Sequence, residues 1–315
     1  MDYRALGRTG IEVSLLGLGT GGANLFGQAR GAEAREARLL ALRALELGVN
    51  CFDTARAYRD SETRLAAALA GVPRGDYVLA SKYQPQTPDG RLLTGAEVEA
   101  AMHSSLARLG TDMIDVFYIH ALKAGAYDAV MATHLPVLLR AREAGLIRAI
   151  GVTESFAGDD PRHETLARAV RQDEVDVIMV GYNVLHQNAE RDVLPVAAAR
   201  GVGVVVMAAV RRALASPAAL EAQVAALKAG GDLGPDAVPD ADPLGWLVND
   251  GTPSVQAACY RYAAGGPAVA TVLTGTFSRE HLEENAAAIG SGPLPAADRA
   301  RLQAIFGHLE LGLGK

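Results

Sequence analysis

The sequence predicts a (β/α)8 TIM barrel, an α/β fold, and three observations carry the prediction. Eight short apolar runs recur along the chain, at residues 13–18, 49–52, 77–81, 113–119, 147–152, 175–180, 202–207 and 268–273. Stretches with apolar residues at helical spacing separate them, most clearly 34–47, 61–70, 95–109 and 134–144. The runs are apolar on both sides, as suits strands of a parallel sheet covered on both faces. Eight such strands alternating with helices over 315 residues fit a closed eight-stranded barrel. One domain, residues 1–315, is the simplest division.

Residues 3–14, YRALGRTGIEVS, read as two short strands around Arg8-Thr9-Gly10, a hairpin ahead of the barrel. The next stretch, GLGTGG at 17–22, has the G-x-G-x-x-G spacing of a dinucleotide-binding turn and follows an apolar run. In that turn, however, the glycines open a helix directly. Here residues 23–31 intervene before helical periodicity begins. The stretch is therefore the end of the first barrel strand and its loop, with Gly19, Thr20 and Gly21 small enough for a ligand to approach the backbone. After the seventh strand, residues 210–245 form a long insertion rich in Ala, Gly, Asp and Pro. It is expected on the C-terminal face of the barrel, where ligands bind.

Composition narrows the partners. Half of the residues are hydrophobic, and a net charge of −6 is dispersed along the chain without a basic run. Nucleic acid is thus not an expected partner. No apolar stretch approaches the roughly 20 residues of a membrane span. The opening MDYRALGRTG has no apolar leader, and the two cysteines, Cys51 and Cys259, form no disulfide framework. A cytoplasmic location is expected.

In a barrel of this kind, chemistry sits at the C-terminal ends of the strands. The second run leads into Asp53, with Tyr58 five residues on in FDTARAY; the third ends in Lys82 and the fourth in His120. Each has a plain alternative: a helix cap for Asp53, a solvated amine for Lys82, a rim imidazole for His120, packing for Tyr58. Together they solve one problem. A phenol holds its proton to a pKa of about 10. A nearby ammonium favours phenolate and lowers that value, and a carboxylate would hold the ammonium in place. An imidazole could orient a carbonyl oxygen toward the phenol. The set suits proton transfer in carbonyl reduction or alcohol oxidation.

FDTARAYRDSE at 53-flanking positions 52–62, LASK at 79–82, IDVFYIH at 114–120, GLIRAIGVTESF at 145–156 and GTFSREHLEEN at 275–285 resemble, in order, the motifs of the aldo-keto reductases. The LGRTGIEVS hairpin and GLGT are similar as well, so the likeness runs from about residue 2 to 310. It implies a catalytic tetrad of Asp53, Tyr58, Lys82 and His120 with Tyr58 as proton donor. It further implies a nicotinamide cofactor, NADP as the usual one with NAD possible, lying across the C-terminal face. The substrate implied is a small carbonyl compound or its alcohol. No metal and no oligomeric state follow.

The same resemblance distributes cofactor contacts, with departures. GVTES replaces the common G-V-S-N, which puts Thr153 and Glu154 at the nicotinamide amide; Glu154 keeps an acceptor but lacks amide donors. Met179 stands where a Gln is usual, and Met207 where an aromatic commonly stacks on the ring. Arg211, with Arg212, is either a phosphate fork or a solvated pair opening the insertion. Gly275 and Thr276, leading into a helix at 280–288 with His281, Glu284 and Asn285, mark the adenosine end. Arg279 is the only strong cation there, opposed by Glu283 and Glu284. A Schiff-base lyase using Lys82, or a cofactor-binding regulatory subunit of the same fold, are the alternative readings.

Overall fold

The computed structural model describes residues 1–155 and 160–310. Phe156, at the end of one motif quoted above, and the chain end from 311 lie outside them. Strands β1 (Tyr3–Ala5) and β2 (Glu12–Ser14) form an antiparallel pair with Arg4 opposite Val13. Eight strands then close a parallel barrel: β3 (Leu16–Gly19), β4 (Cys51–Asp53), β5 (Val78–Tyr83), β6 (Ile114–Leu122), β7 (Ile147–Glu154), β8 (Val177–Gly181), β9 (Gly203–Met207) and β10 (Val269–Thr274). Closure is made by β10 on β3, with Leu273 opposite Gly17. The expected barrel and hairpin are both present. The first apolar run, 13–18, is divided between hairpin and barrel, because Leu15 turns aside to bond the Asp2 carbonyl at 2.8 Å.

Helices cover the outside: α1 (Ala34–Glu46), α2 (Ser61–Ala68), α3 (Gly95–Leu109), α4 (Tyr127–Glu143), α5 (Glu164–Ala169), α6 (Ala189–Asp192), α7 (Leu194–Arg200), α8 (Pro217–Ala229), α9 (Val255–Ala264), α10 (Arg279–Gly290) and α11 (Ala296–Phe306). Helix α3 shows why such a segment folds locally. Thr94 caps its start, accepting from the Glu97 amide while Glu97 reaches back to the cap, and Gly110 ends it in the left-handed region. Its buried residues Val98, Met102, Ser105, Leu106 and Leu109 recur at helical spacing. Helix α4 begins at Tyr127, a full two turns before the apolar periodicity suggests, and carries Pro136 inside it. The insertion after β9 contributes α8 and buries Leu233, Val238 and Leu244.

Two apolar cores result. One lies between barrel and helices; the other fills the barrel with Cys51, Val78, Ala80, Val116, Tyr118, Ala149, Val177, Met179, Val205 and Ala270. Leu6, Ile11 and Val13 of the hairpin join the second core and so plug the N-terminal end. Gly7 (φ 57°) lets the plug seat, because a Cβ there would fall 2.3 Å from the Gly203 amide nitrogen.

The same rim carries a repeated device. Asn50, Asp115 and Asp176 each accept the backbone amide of a residue on a neighbouring strand: Ser14 at 2.7 Å, Leu79 at 2.8 Å and Ile150 at 2.9 Å. Arg74 and Arg148 neutralise Asp115 at 2.6 and 2.8 Å, and Arg142 neutralises Asp176 at 2.8 Å. The amide bonds to the carboxylates of Asp115 and Asp176 are charge-assisted, worth about 1.5–3 kcal/mol each, the one to the neutral Asn50 amide less, and all three help set strand register. They fix the N-terminal end and leave the opposite end for chemistry.

Candidate active site

Period-two alternation aims the site. Along β5, Ala80 faces the barrel interior, and Lys82, two residues on, does the same from the C-terminal end. Along β6, Val116 and Tyr118 face inward, which continues to His120. There the β6–β7 pairing shifts register between Ile119 and Leu122, and Ala121 adopts φ 51°. The Ala121 amide donates to Thr153 Oγ1 at 2.7 Å. His120 thus sits on an irregularity of the ladder, the kind that re-aims a side chain at a strand end.

Asp53, Lys82, Tyr58 and His120 converge. Lys82 Nζ is 2.5 Å from Asp53 Oδ1 and donates to the Thr54 carbonyl at 2.8 Å. Its side chain is 0% exposed and that of Asp53 5%. The ammonium lies 5.1 Å from the centroid of the Tyr58 ring and 6.0 Å from that of Tyr118. The Tyr58 ring meets the His120 ring edge-on, centroids 5.6 Å apart. Asp53 Oδ2 and His120 Nδ1 are buried without hydrogen-bond partners among the described residues.

Burial raises the Asp53 pKa above the ordinary carboxylate value, against the opposing pull of Lys82. For Lys82, burial works against the charge, yet Asp53 and Tyr58 outweigh it and the pKa ends raised. Lys82 is therefore an ammonium, which disfavours it as the nucleophile of a Schiff-base lyase. His120 is driven down to about 3 by desolvation and by the Lys82 charge, so it acts as a neutral imidazole. Tyr58 departs from the sequence-based expectation. Burial raises its pKa, and although Lys82 pulls it down, burial wins. The phenol is a proton holder at neutrality, and the ammonium limits how far its acidity is lost.

The loop after β3 bounds the site. Thr20 is buried, and its amide and hydroxyl both donate to the Asp53 carbonyl, at 2.8 and 3.0 Å. Gly19 packs beside Leu273 and Thr274, and Gly21 lies against the Tyr58 ring, where a Cβ would fall 2.4 Å from two ring carbons. Gly22 touches Gly275, with a Cβ 2.5 Å from its carbonyl oxygen. Arg211 is exposed at the end of β9, and its charge reaches Tyr58, lowering the phenol pKa. Met207 is half-buried at the rim above the barrel core.

Three residues expected at the cofactor also have roles within the fold. Glu154 is fully buried; Oε1 accepts from the Gly181 amide at 2.9 Å and Oε2 pairs with His163 Nδ1 at 2.7 Å. Its carboxylate ties β8 and the start of α5 to β7 instead of offering a free acceptor. Met179 is 3% exposed within the apolar barrel core, so it packs and does not replace a polar contact. Asn285 spends its amide on Thr274 Oγ1 at 3.0 Å. Thr153, besides receiving the Ala121 amide, keeps a hydroxyl proton to donate.

At the other end, Ser278 caps α10 by accepting from the His281 amide at 3.1 Å, and Thr276 accepts from the Ser278 amide at 3.0 Å. Gly275 leads in, and His281 and Glu284 are exposed. Glu283 pairs with Arg43 at 2.7 Å and with Arg279 at 3.0 Å, while Arg30 lies 4.7 Å over the Phe277 ring. Sequence reasoning missed Tyr118, which the inward phase of IDVFYIH could have given. It also missed Gln28, whose contacts with the Tyr58 loop no local pattern announces.

The fold and this constellation define a barrel oxidoreductase. Residues 17–306 match the model of the Aldo/keto reductase family, and the chain belongs to that family. Its members generally bind NAD(P)H and act on small-molecule substrates. The chain is similar to L-galactose dehydrogenase of Arabidopsis thaliana, 28% identical over 328 residues that cover 98% of this chain and 95% of the relative. It is similar also to D-threo-aldose 1-dehydrogenase of a Pseudomonas species, 30% identical over 60% of this chain and 64% of that one. Among solved structures, aldo-keto reductase AKR11C1 of Bacillus halodurans in its holo form superposes with a TM-score of 0.72 at 24% identity, over 96% of both chains. No helix among the described residues is long and apolar enough to cross a membrane.

Proposed function

We propose that the protein is a nicotinamide-dependent dehydrogenase of aldose sugars or related carbonyl compounds, with Tyr58 transferring the proton. The observation that carries this reading is the buried Asp53–Lys82 pair set 5.1 Å beneath the Tyr58 ring, with His120 at its edge. A bound nicotinamide dinucleotide would supply or accept the hydride, which no side chain can do. The residues fit such a group. Apart from the His281 amide, which Ser278 caps, the first amides of α10 have no intrahelical partners and favour phosphate, Arg211 is an exposed guanidinium at the rim, and the exposed Gly21 and Gly275 leave backbone open to approach. Thr153 and Met207 remain candidates for the nicotinamide end; Thr276, His281 and Glu284 remain candidates for the adenosine end.

In the oxidising direction, a sugar hemiacetal would lose hydride from C1 and a proton from O1, leaving the lactone. Tyr58 would take that proton, with Lys82 stabilising the phenolate and Asp53 holding Lys82. Neutral His120 would donate a hydrogen bond to the same oxygen and fix its direction. In reduction, the same phenol would return the proton. The names of the two curated relatives support an aldose substrate for this chain. Arg43 and Arg279 share Glu283, and Arg30 lies over the Phe277 ring, so cations stand near the adenosine end and the choice between NAD and NADP is left to the titration.

Fluorescence titration with NADH and NADPH, followed by absorbance assays on a panel of aldoses and simple carbonyls, tests the reading. Saturable NADH binding and aldose-dependent NADH formation from NAD are expected. Absence of nucleotide binding would remove the reading, and borohydride trapping of a carbonyl substrate on Lys82 would replace it with the lyase.

A further inference from the structure

Tyr58 stands on a loop between β4 and α2, and a reacting group held by a loop needs support from elsewhere to keep its geometry. The β3–α1 loop supplies it. Gln28 Nε2 donates to the Tyr58 carbonyl at 3.1 Å, and Gln28 Oε1 accepts from the Asp60 amide at 3.0 Å. The residue between them, Arg59, has φ 56°, a left-handed conformation that a non-glycine residue adopts at a cost. One carboxamide therefore bonds the backbone on both sides of this kink, in the donor-and-acceptor pattern of a neighbouring strand, and the Tyr58 carbonyl accepts from the Ser61 amide as well at 3.1 Å.

Gln28 is itself anchored. Its Nε2 also donates to the Leu25 carbonyl at 2.8 Å. Phe26 packs edge-on to Phe277 at 5.7 Å, and the Arg30 guanidinium lies 4.7 Å over the same Phe277 ring. The loop that carries Gln28 also presents Gly21 to the phenol ring. The β3–α1 loop thus grips Tyr58 at its backbone and at its ring, in addition to the Lys82 and His120 contacts.

We propose that Gln28 is a positioning residue for Tyr58, its carboxamide locking the Arg59 kink so that the phenol stays aligned with Lys82 and His120. The proposal rests on the reading of Tyr58 as the proton-transferring group. Both halves of the carboxamide are needed. In Gln28→Glu the shape and the Asp60 bond are kept, but an ionised oxygen would face the Tyr58 carbonyl where a donor belongs. Protonation of that carboxyl restores a donor.

The test measures single-turnover hydride transfer, KM, NADH affinity and thermal stability for Gln28→Glu and Gln28→Ala across pH, with Tyr58→Phe alongside. The expected result is hydride transfer slowed roughly 10- to 100-fold in both Gln28 variants, with NADH affinity and KM nearly unchanged. The Gln28→Glu deficit relative to the wild-type chain should shrink as pH falls, and the Gln28→Ala deficit should not. Gln28→Glu, matched in shape, carries the test should Gln28→Ala unfold. Wild-type rates in Gln28→Glu, or a deficit that ignores pH or raises KM and weakens NADH in step, would overturn the proposal. If Tyr58→Phe itself turns over normally, the underlying reading of Tyr58 fails instead.

Discussion

Replacing Lys82 by Met removes one charge from a buried pair and leaves the other behind. Lys82 Nζ and Asp53 Oδ1 are 2.5 Å apart, with side-chain exposures of 0% and 5%. Asp53 Oδ2 already has no hydrogen-bond partner among the described residues. Breaking such a pair typically costs about 3–5 kcal/mol, because the remaining charge is uncompensated. The loss should depend on pH with a definite sign. Burial already raises the Asp53 pKa, and without Lys82 nothing equivalent opposes it. The folded variant then binds a proton more readily than the unfolded chain, whose carboxyl titrates near 3.8. Stability relative to wild type therefore falls as pH rises through the window above that value, and recovers as pH drops toward it. The double variant Asp53→Asn/Lys82→Met, with no buried charge, should regain most of the loss. Urea denaturation followed by fluorescence and circular dichroism measures this, provided the two probes coincide. A Lys82→Met chain as stable as wild type, or a double variant no better than the single, would refute the electrostatic account of the pair.

Two further outcomes follow from the same geometry. His120, held neutral down to about 3 in the fold against an ordinary value of 6.5, makes the folded state lose stability on acidification. Between those values the unfolded chain binds the extra proton, so the dependence is up to about 1.4 kcal/mol per pH unit. His120→Gln should flatten the stability profile in that window, as acid titration of the melting temperature would read; an unchanged slope would count against the assignment. Gly21→Ala places a methyl 2.4 Å from the Tyr58 ring. Overpacking of this kind costs about 1–3 kcal/mol, and the ring should shift, lowering kcat with little change in KM. Wild-type kcat in that variant would show that the ring contact is not tight.

The barrel was legible because its signals are periodic and local: eight apolar runs, and helices with caps such as Thr94 and Glu97. The convergence of Asp53, Tyr58, Lys82 and His120 was legible because strand ends select few residues, and Asp53, Lys82 and His120 all occupy them. What escaped depends on contacts between distant segments. Glu154 looked like a free acceptor until His163 and the Gly181 amide were found on its two oxygens. The Tyr58 pKa could not be signed from neighbours alone, since burial outweighs the Lys82 charge. The Arg59 kink and its Gln28 partner, distant in sequence, have no signature in either segment. The start of α4 was missed because Pro136 within a helix obscures its earlier turns.

The central claim is that Tyr58 moves the proton while the surrounding residues bind and orient. Stopped-flow measurement of hydride transfer in Tyr58→Phe, with NADH affinity measured on the same preparation, tests it most directly. The account predicts wild-type nucleotide affinity with hydride transfer slowed by at least about 100-fold, the lower range of general acid–base contributions. Hydride transfer at the wild-type rate in that variant would contradict it.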